Sequence, residues 1–221
     1  MNPPRKTSTA PAAVLNAASL GYTEDFVENS ERLRTARENA VVLGATTLSN
    51  GACTTLTFLA KMLDAQHVVE IGSDTGVAGL ALFAGMNPRG ILTSIGTEAE
   101  WQIDARNAFT AEGIVSNRFR LIANNPLDVL PKLLDGAYDL VFINGDKLEY
   151  VEYVAQAQRL LRSGGVVVLN DALWNILISD DNTEDDETLI IREAIAAVLD
   201  DEGFTPAMLP VGNGLLAAVK T

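Results

Sequence analysis

The stretch His67-Val68-Val69-Glu70-Ile71-Gly72-Ser73-Asp74-Thr75-Gly76-Val77-Ala78-Gly79 constrains the fold of this chain more than any other. An apolar run ends in an acid, passes through a glycine-punctuated turn and resumes as an apolar segment with helical character. That is the layout of a first βα turn that cradles a nucleotide-like ligand. Glycine lets the backbone approach the ligand, and the following helix offers free N–H groups at its start.

The rest of the chain repeats the alternation. Strands are expected at 68–71, 91–95, 119–123, 138–143 and 166–169, with helices at 77–86, 98–112, 150–161 and a short one ending at Leu134. Trp101, Ala105, Ala108 and Phe109 form a helical stripe in the second of these, closed by Gly113. Several strand runs are apolar without period-two alternation, as expected for strands covered on both faces. The fold class is therefore α/β, a doubly wound, mostly parallel sheet. The tail differs: a helix at 189–199 precedes 204–209 and 215–219, which read as an antiparallel hairpin around Pro210-Val211-Gly212-Asn213-Gly214. Ahead of the core, 24–43 and 52–63 read as two helices, with a break at 46–51. Residues 1–13 are expected to be a loose arm and 14–221 one domain, helices at 14–64 and the α/β core at 65–221.

Composition narrows function. With 221 residues and 48% hydrophobic content, the chain has room for a full core and is not mainly disordered. The net charge of −13 argues against nonspecific binding to nucleic acid or anionic lipid, and no apolar run is long enough for a membrane span. The only histidine, His67, opens the first strand, which excludes a Ser-His-Asp hydrolase or a His-rich zinc site. The single Cys53 falls in a helical apolar pattern as a small core residue and fits a reducing, cytoplasmic setting.

Five segments carry a resemblance. Glu70-Ile71-Gly72 with Gly76, Tyr138-Asp139-Leu140-Val141-Phe142-Ile143, Asp146-Lys147, Leu160-Leu161-Arg162-Ser163-Gly164-Gly165 and Asn170-Asp171-Ala172-Leu173-Trp174 occur in this order over roughly residues 30–220. Together they resemble the S-adenosylmethionine-dependent O-methyltransferases of the catechol and caffeoyl-CoA type, most closely the actinobacterial branch. The resemblance implies a class I, Rossmann-like methyltransferase with a seven-stranded sheet and a C-terminal antiparallel hairpin. It further implies S-adenosylmethionine as cofactor, a divalent metal, a small hydroxylated and possibly phenolic acceptor, and a homodimer.

Carried over position by position, the resemblance is incomplete. Glu70, Gly72 and Gly76 match the cofactor turn. Asp74 replaces the family's middle glycine, either as a plain turn residue or as a charge that attracts the sulfonium or ammonium. Gly96 stands where the ribose-binding acid normally ends the second strand, with Glu98 two residues on as the group that might reach instead. Asn124-Asn125-Pro126 replaces the adenine-contacting turn. Of the implied metal ligands, the first is Asn144, which also borders the cofactor, and the later pair is reversed as Asn170-Asp171. One carboxylate thus remains where two are usual, which makes magnesium doubtful because it prefers hard, charged oxygens. Asp146 is a candidate replacement. Lys147 aligns with the catalytic lysine, and Lys147 with Asn144 forms the expected catalytic set. Trp174 walls the substrate pocket or belongs to the core, while Tyr150 and Tyr153 read as packing. The acidic run 180–187 is a solvated loop and helix start, or a lid that disfavours anionic acceptors. The leading function is SAM-dependent methyl transfer to a hydroxyl. The alternative is a catalytically impaired methyltransferase-fold protein used for binding or assembly. A nicotinamide dehydrogenase fits the terminal hairpin and the Asp-Lys segment poorly.

Overall fold

The computed structural model describes residues 16–180 and 182–221. The expected arm at 1–13 lies outside the described residues, as does Asp181 of the acidic run.

Three helices lead the chain: α1 (Ala17–Glu24), α2 (Glu31–Val42) and α3 (Asn50–Met62). The sequence reading put one helix across 24–43; the structure begins that helix only at Glu31 and closes a separate helix, α1, at Glu24. Glu24 marks the break between the two. Its carboxylate accepts from the backbone N–H groups of Gly51 and Gly212, each at 2.6 Å, so the chain turns away there instead of continuing. Ser30 then caps α2 by accepting from the Leu33 N–H. Phe26, expected on an apolar helix face, is exposed in the connection.

The core alternates β1 (His67–Ile71), α4 (Val77–Gly85), β2 (Ile91–Gly96), α5 (Ala99–Ala111), β3 (Phe119–Ala123), α6 (Pro126–Val129), β4 (Tyr138–Ile143), α7 (Tyr150–Leu160) and β5 (Leu161–Leu169). It ends with α8 (Asp186–Asp200), β6 (Phe204–Leu209) and β7 (Leu215–Lys220). The seven strands form one sheet in the order β3-β2-β1-β4-β5-β7-β6. The first five are parallel, and β7 runs antiparallel to both β5 and β6, so the doubly wound sheet with its terminal hairpin is as expected.

The even hydrophobicity of the strands has a simple cause. Leu140 and Phe142 face one buried cluster with α3, α4 and α5, while Val141 and Ile143 face another with α7 and α8. Helices cover both faces, so neither face tolerates polar alternation. Strand order reverses between β1 and β4, which opens a crevice at their C-terminal ends. Gly72, Asn144 and Asn170 are the residues that leave β1, β4 and β5 into that crevice.

Candidate active site

The β1–α4 turn depends on two glycines with left-handed backbone. Gly72 has φ +88°, and a Cβ there would run into the backbone carbonyl of Asn144. Gly76, with φ +96°, begins α4 and sits 2.8 Å (measured from a virtual Cβ) from the Ala105 Cα. No side chain caps the first turn of α4. Around the turn, Glu70 Oε1, Ser73 Oγ, Thr75 Oγ1 and Ser94 Oγ are buried without a hydrogen-bond partner. Clustered orphans of this kind mark a place where a ligand or water completes the network.

Above the strand ends lies a cavity of about 660 Å³. It gathers Asp74, Asn144, Lys147, Asn170 and Asp171, all singled out from sequence, with Trp174 as one wall. Their hydrogen bonds form a chain. The Asn170 amide donates to Asn144 Oδ1 at 2.8 Å, and the Asn144 amide donates to Asp74 Oδ2 at 3.0 Å. Lys147 Nζ pairs with Asp171 Oδ2 at 2.9 Å and donates to the Tyr150 hydroxyl at 2.7 Å. That hydroxyl in turn donates to the Asn170 carbonyl at 3.2 Å. The ammonium also lies 4.7 Å from the Tyr150 ring centre and 5.8 Å from that of Trp174. Tyr150 therefore packs, as expected, and also fixes the lysine.

Burial sets the charge states. It pushes the Asp74 carboxyl up to about 7, against the pull of Lys147 and the Asn144 amide. It pushes Glu70 up to about 8, against the pull of the neighbouring Ser94 hydroxyl and with the charge of Asp74 adding to the effect. Burial, with Asp171 nearby, also holds the Tyr150 phenol well above its ordinary range, so the hydroxyl keeps its proton.

The residues expected to hold a divalent metal do not suit one. Both ends of the Asn144 amide are engaged, and the one carboxylate, Asp171, is paired with Lys147 through Oδ2 and accepts from Asn213 through Oδ1 at 3.2 Å. Asp146, the candidate replacement, is exposed and outside the cavity lining; it caps the turn at Lys147–Glu149 by accepting from the Leu148 N–H. Among the described residues, no three His, Cys, Asp or Glu side chains are grouped to hold a metal ion.

The adenosine-side residues are not drawn into the cavity lining. Glu98 is exposed at the start of α5, accepting from the Thr97 hydroxyl at 3.2 Å. Asn124 and Asn125 are exposed too; Asn125 caps α6, and Pro126 occupies its first position, where a missing N–H costs nothing. Gly96 is closely covered: a Cβ there would meet the nitrogen and Cβ of Ser73 at 2.9 Å. The Asn124 N–H donates to the Gly96 carbonyl at 3.0 Å, so the ends of β2 and β3 stay joined.

Other lining residues carried no sequence signal. Thr46, Thr47 and Ser49 approach from the loop before α3, and Gly212 and Asn213 from the hairpin turn. Trp101, placed by periodicity on the apolar stripe of α5, lines the cavity; Gln102, Ala105 and Phe109 are the buried residues of that helix. The tryptophan sits at the end of α5 nearest the crevice, where an apolar wall serves a ligand as well as a core. Beyond β5 the backbone is strained. Asp171, Trp174, Asn175 and Ile176 have φ between 41° and 71°, four of the five non-glycine residues with positive φ among the described residues.

Comparison with known proteins agrees with the sheet. A family model described as "O-methyltransferase" matches residues 23–221. A protein of Mycobacterium sp. (strain KMS), named "Putative O-methyltransferase", is 39% identical over 203 residues, covering 92% of each chain. A crystal structure from Corynebacterium glutamicum, 32% identical, superposes with a TM-score of 0.84 over 90% of this chain and 94% of its own. The O-methyltransferase TomG from Streptomyces achromogenes, involved in tomaymycin synthesis and solved with SAM, shares the fold at 23% identity, with a TM-score of 0.83 over 93% and 96% of the two chains. The chain belongs to the O-methyltransferase family.

Proposed function

We propose that this protein transfers a methyl group from S-adenosylmethionine to a hydroxyl on a small aromatic acceptor. The observation that carries the reading is the cavity, which Asp74 of the β1–α4 turn, a half-buried Lys147–Asp171 pair and two tryptophans line together. The orphaned Glu70, Ser73 and Thr75 oxygens suit the polar groups of the cofactor's amino-acid part, and Gly72 and Gly76 let it approach the backbone. Asp74 would face the sulfonium. Gly96, Glu98, Asn124 and Asn125 border the expected adenosine side.

When bound, S-adenosylmethionine supplies an activated methyl: the acceptor oxygen's lone pair forms the C–O bond as the S–C pair returns to sulfur. Lys147 Nζ donates to the acceptor oxygen and stabilises its charge. Asp171, held against Lys147, takes the hydroxyl proton. Tyr150 fixes the lysine, Asn144 links Asp74 to Asn170, and Trp101 and Trp174 flank the acceptor ring. Alignment of this kind removes up to roughly 7–11 kcal/mol from a two-body barrier.

The test is incubation with S-adenosylmethionine and a panel of phenols, read by mass spectrometry. Methyl ether and S-adenosylhomocysteine forming together support the reading; neither forming with any acceptor contradicts it. We extend the proposal to a cytoplasmic homodimer. Tyr22, Val41, Val42, Phe58 and Met62 on α1–α3 are exposed and apolar, surface that a second copy would cover. Light scattering should give a dimer mass, and Phe58→Asp should lower it to that of one chain.

A further inference from the structure

We propose that this active site works without a divalent ion, that the ammonium of Lys147 takes the ion's electrostatic place, and that the site accepts a neutral ring bearing a single hydroxyl. The inference rests on the methyl-transfer reading above.

Three observations converge. The side chains that would ligate an ion satisfy one another instead. Asn170 donates to Asn144, and Asn144 donates to Asp74. A cation entering at the aligned positions 144, 170 and 171 would have to break both bonds to reach two neutral amide oxygens, which magnesium ranks below carboxylates, and the one carboxylate of that set, Asp171, is already paired with Lys147. The second observation is that a cation is already present. Lys147 is fixed by Asp171 at 2.9 Å and Tyr150 at 2.7 Å, and its side chain is only 12% exposed. A second, divalent charge beside it would meet repulsion in a poorly solvated place. The third concerns the acceptor. A divalent ion can chelate two neighbouring hydroxyls, whereas an ammonium donates hydrogen bonds one at a time. Lys147 has spent two of its three N–H directions on Asp171 and Tyr150, which leaves one for one oxygen. The remaining charges on the wall, Asp74 and Asp171, repel acceptors that carry a carboxylate or phosphate. The two tryptophans favour a flat ring.

The balance of the step needs no further reactant. The proton leaves the acceptor hydroxyl for Asp171, the methyl leaves sulfur for oxygen, and Lys147 keeps its own protons throughout.

The test has two independent arms on the full-length protein. Manganese is titrated and followed by electron paramagnetic resonance, with calorimetry of S-adenosylhomocysteine alongside. The expected result is an unbroken free-manganese signal for the wild type. The paired variant Asn144→Asp/Lys147→Met, which restores a second carboxylate and removes the ammonium, should gain stoichiometric manganese binding. In the second arm, methylation of a monohydroxylic phenol should proceed in EDTA within about twofold of the rate with magnesium, and a vicinal diol should gain no metal-dependent advantage. Lys147→Met should lose at least about a hundredfold in kcat/KM while binding S-adenosylhomocysteine unchanged, and magnesium should not rescue it. Stoichiometric manganese binding by the wild type, or loss of transfer in EDTA, overturns the inference. Failure to bind S-adenosylhomocysteine defeats the methyl-transfer reading instead, and the manganese arm still decides the question of the ion.

Discussion

The Asn144 amide donates to the Asp74 carboxylate at 3.0 Å, tying the end of β4 to the β1–α4 turn across 70 residues of sequence. The bond places a half-buried acid on the cavity wall where a cationic cofactor would lie. Asp74 is pushed up to about 7, so it gains its full charge only above neutrality. A sulfonium favours the charged form, and the thioether product does not. Affinity for S-adenosylmethionine relative to S-adenosylhomocysteine should therefore rise by several-fold between pH 6 and pH 8, and Asp74→Asn should flatten the ratio. Calorimetry with both ligands at the two pH values checks this; a ratio that falls with pH contradicts it.

Glu70 gives a stability prediction. Its folded value of about 8 lies above the ordinary 4.5, so the folded state holds a proton that the unfolded state releases. The associated stability is fully present below about pH 4.5 and is lost as pH rises through 8. Glu70→Gln keeps the neutral form at every pH. The variant should match the wild type near pH 5 and exceed it at pH 8.5 by an amount on the order of 1–3 kcal/mol. Urea unfolding at both pH values measures the difference. Equal curves at pH 8.5 would show that the carboxyl ionises without cost.

Gly96 is a packing site as much as a gap in a binding motif. Restoring an acid there by Gly96→Asp drives a Cβ against the nitrogen and Cβ of Ser73 at 2.9 Å, and the cofactor turn has to move. Overpacking of this kind costs about 1–3 kcal/mol. Gly96→Asp and Gly96→Ala should both lower the melting temperature, and neither should tighten S-adenosylhomocysteine. Tighter binding by the aspartate variant would mean that the turn yields freely.

Arg192 on α8 holds the strained segment beyond β5. Its guanidinium donates to the carbonyls of Leu177, Ile178, Asp180 and Thr183 at 2.5–3.1 Å. These bonds fasten the chain that carries Trp174 and Asn175 at the cavity rim. Arg192→Ala should speed amide exchange across 174–180 and raise the acceptor KM about tenfold, while S-adenosylhomocysteine affinity stays within about twofold. An unchanged KM with fast exchange would separate this segment from acceptor binding.

The glycine turn, the parallel strands and the hairpin were legible because each leaves a local mark: backbone freedom at Gly72 and Gly76, unbroken apolar runs at β1 and β4, and turn residues at 210–214. The cluster Asp74, Asn144, Lys147, Asn170 and Asp171 was legible through the resemblance, and topology explains why these positions converge: each follows the end of a strand at the crevice. What escaped is long-range. Asn213 reaches Asp171 from 42 residues away, and Glu24 reaches Gly212 from 188. No periodicity reports such contacts, so the part the hairpin turn plays in the cavity and the break between α1 and α2 were invisible. The place of Trp101 on the cavity wall escaped for a related reason: helical spacing identifies an apolar face but not whether protein or ligand covers it.

Calorimetric titration with S-adenosylhomocysteine tests the central claim most directly. The account predicts one site per chain with micromolar affinity, weakened at least about tenfold by Gly72→Ala, because any Cβ there collides with the Asn144 backbone. An absence of heat and of any thermal stabilisation at millimolar ligand would contradict it.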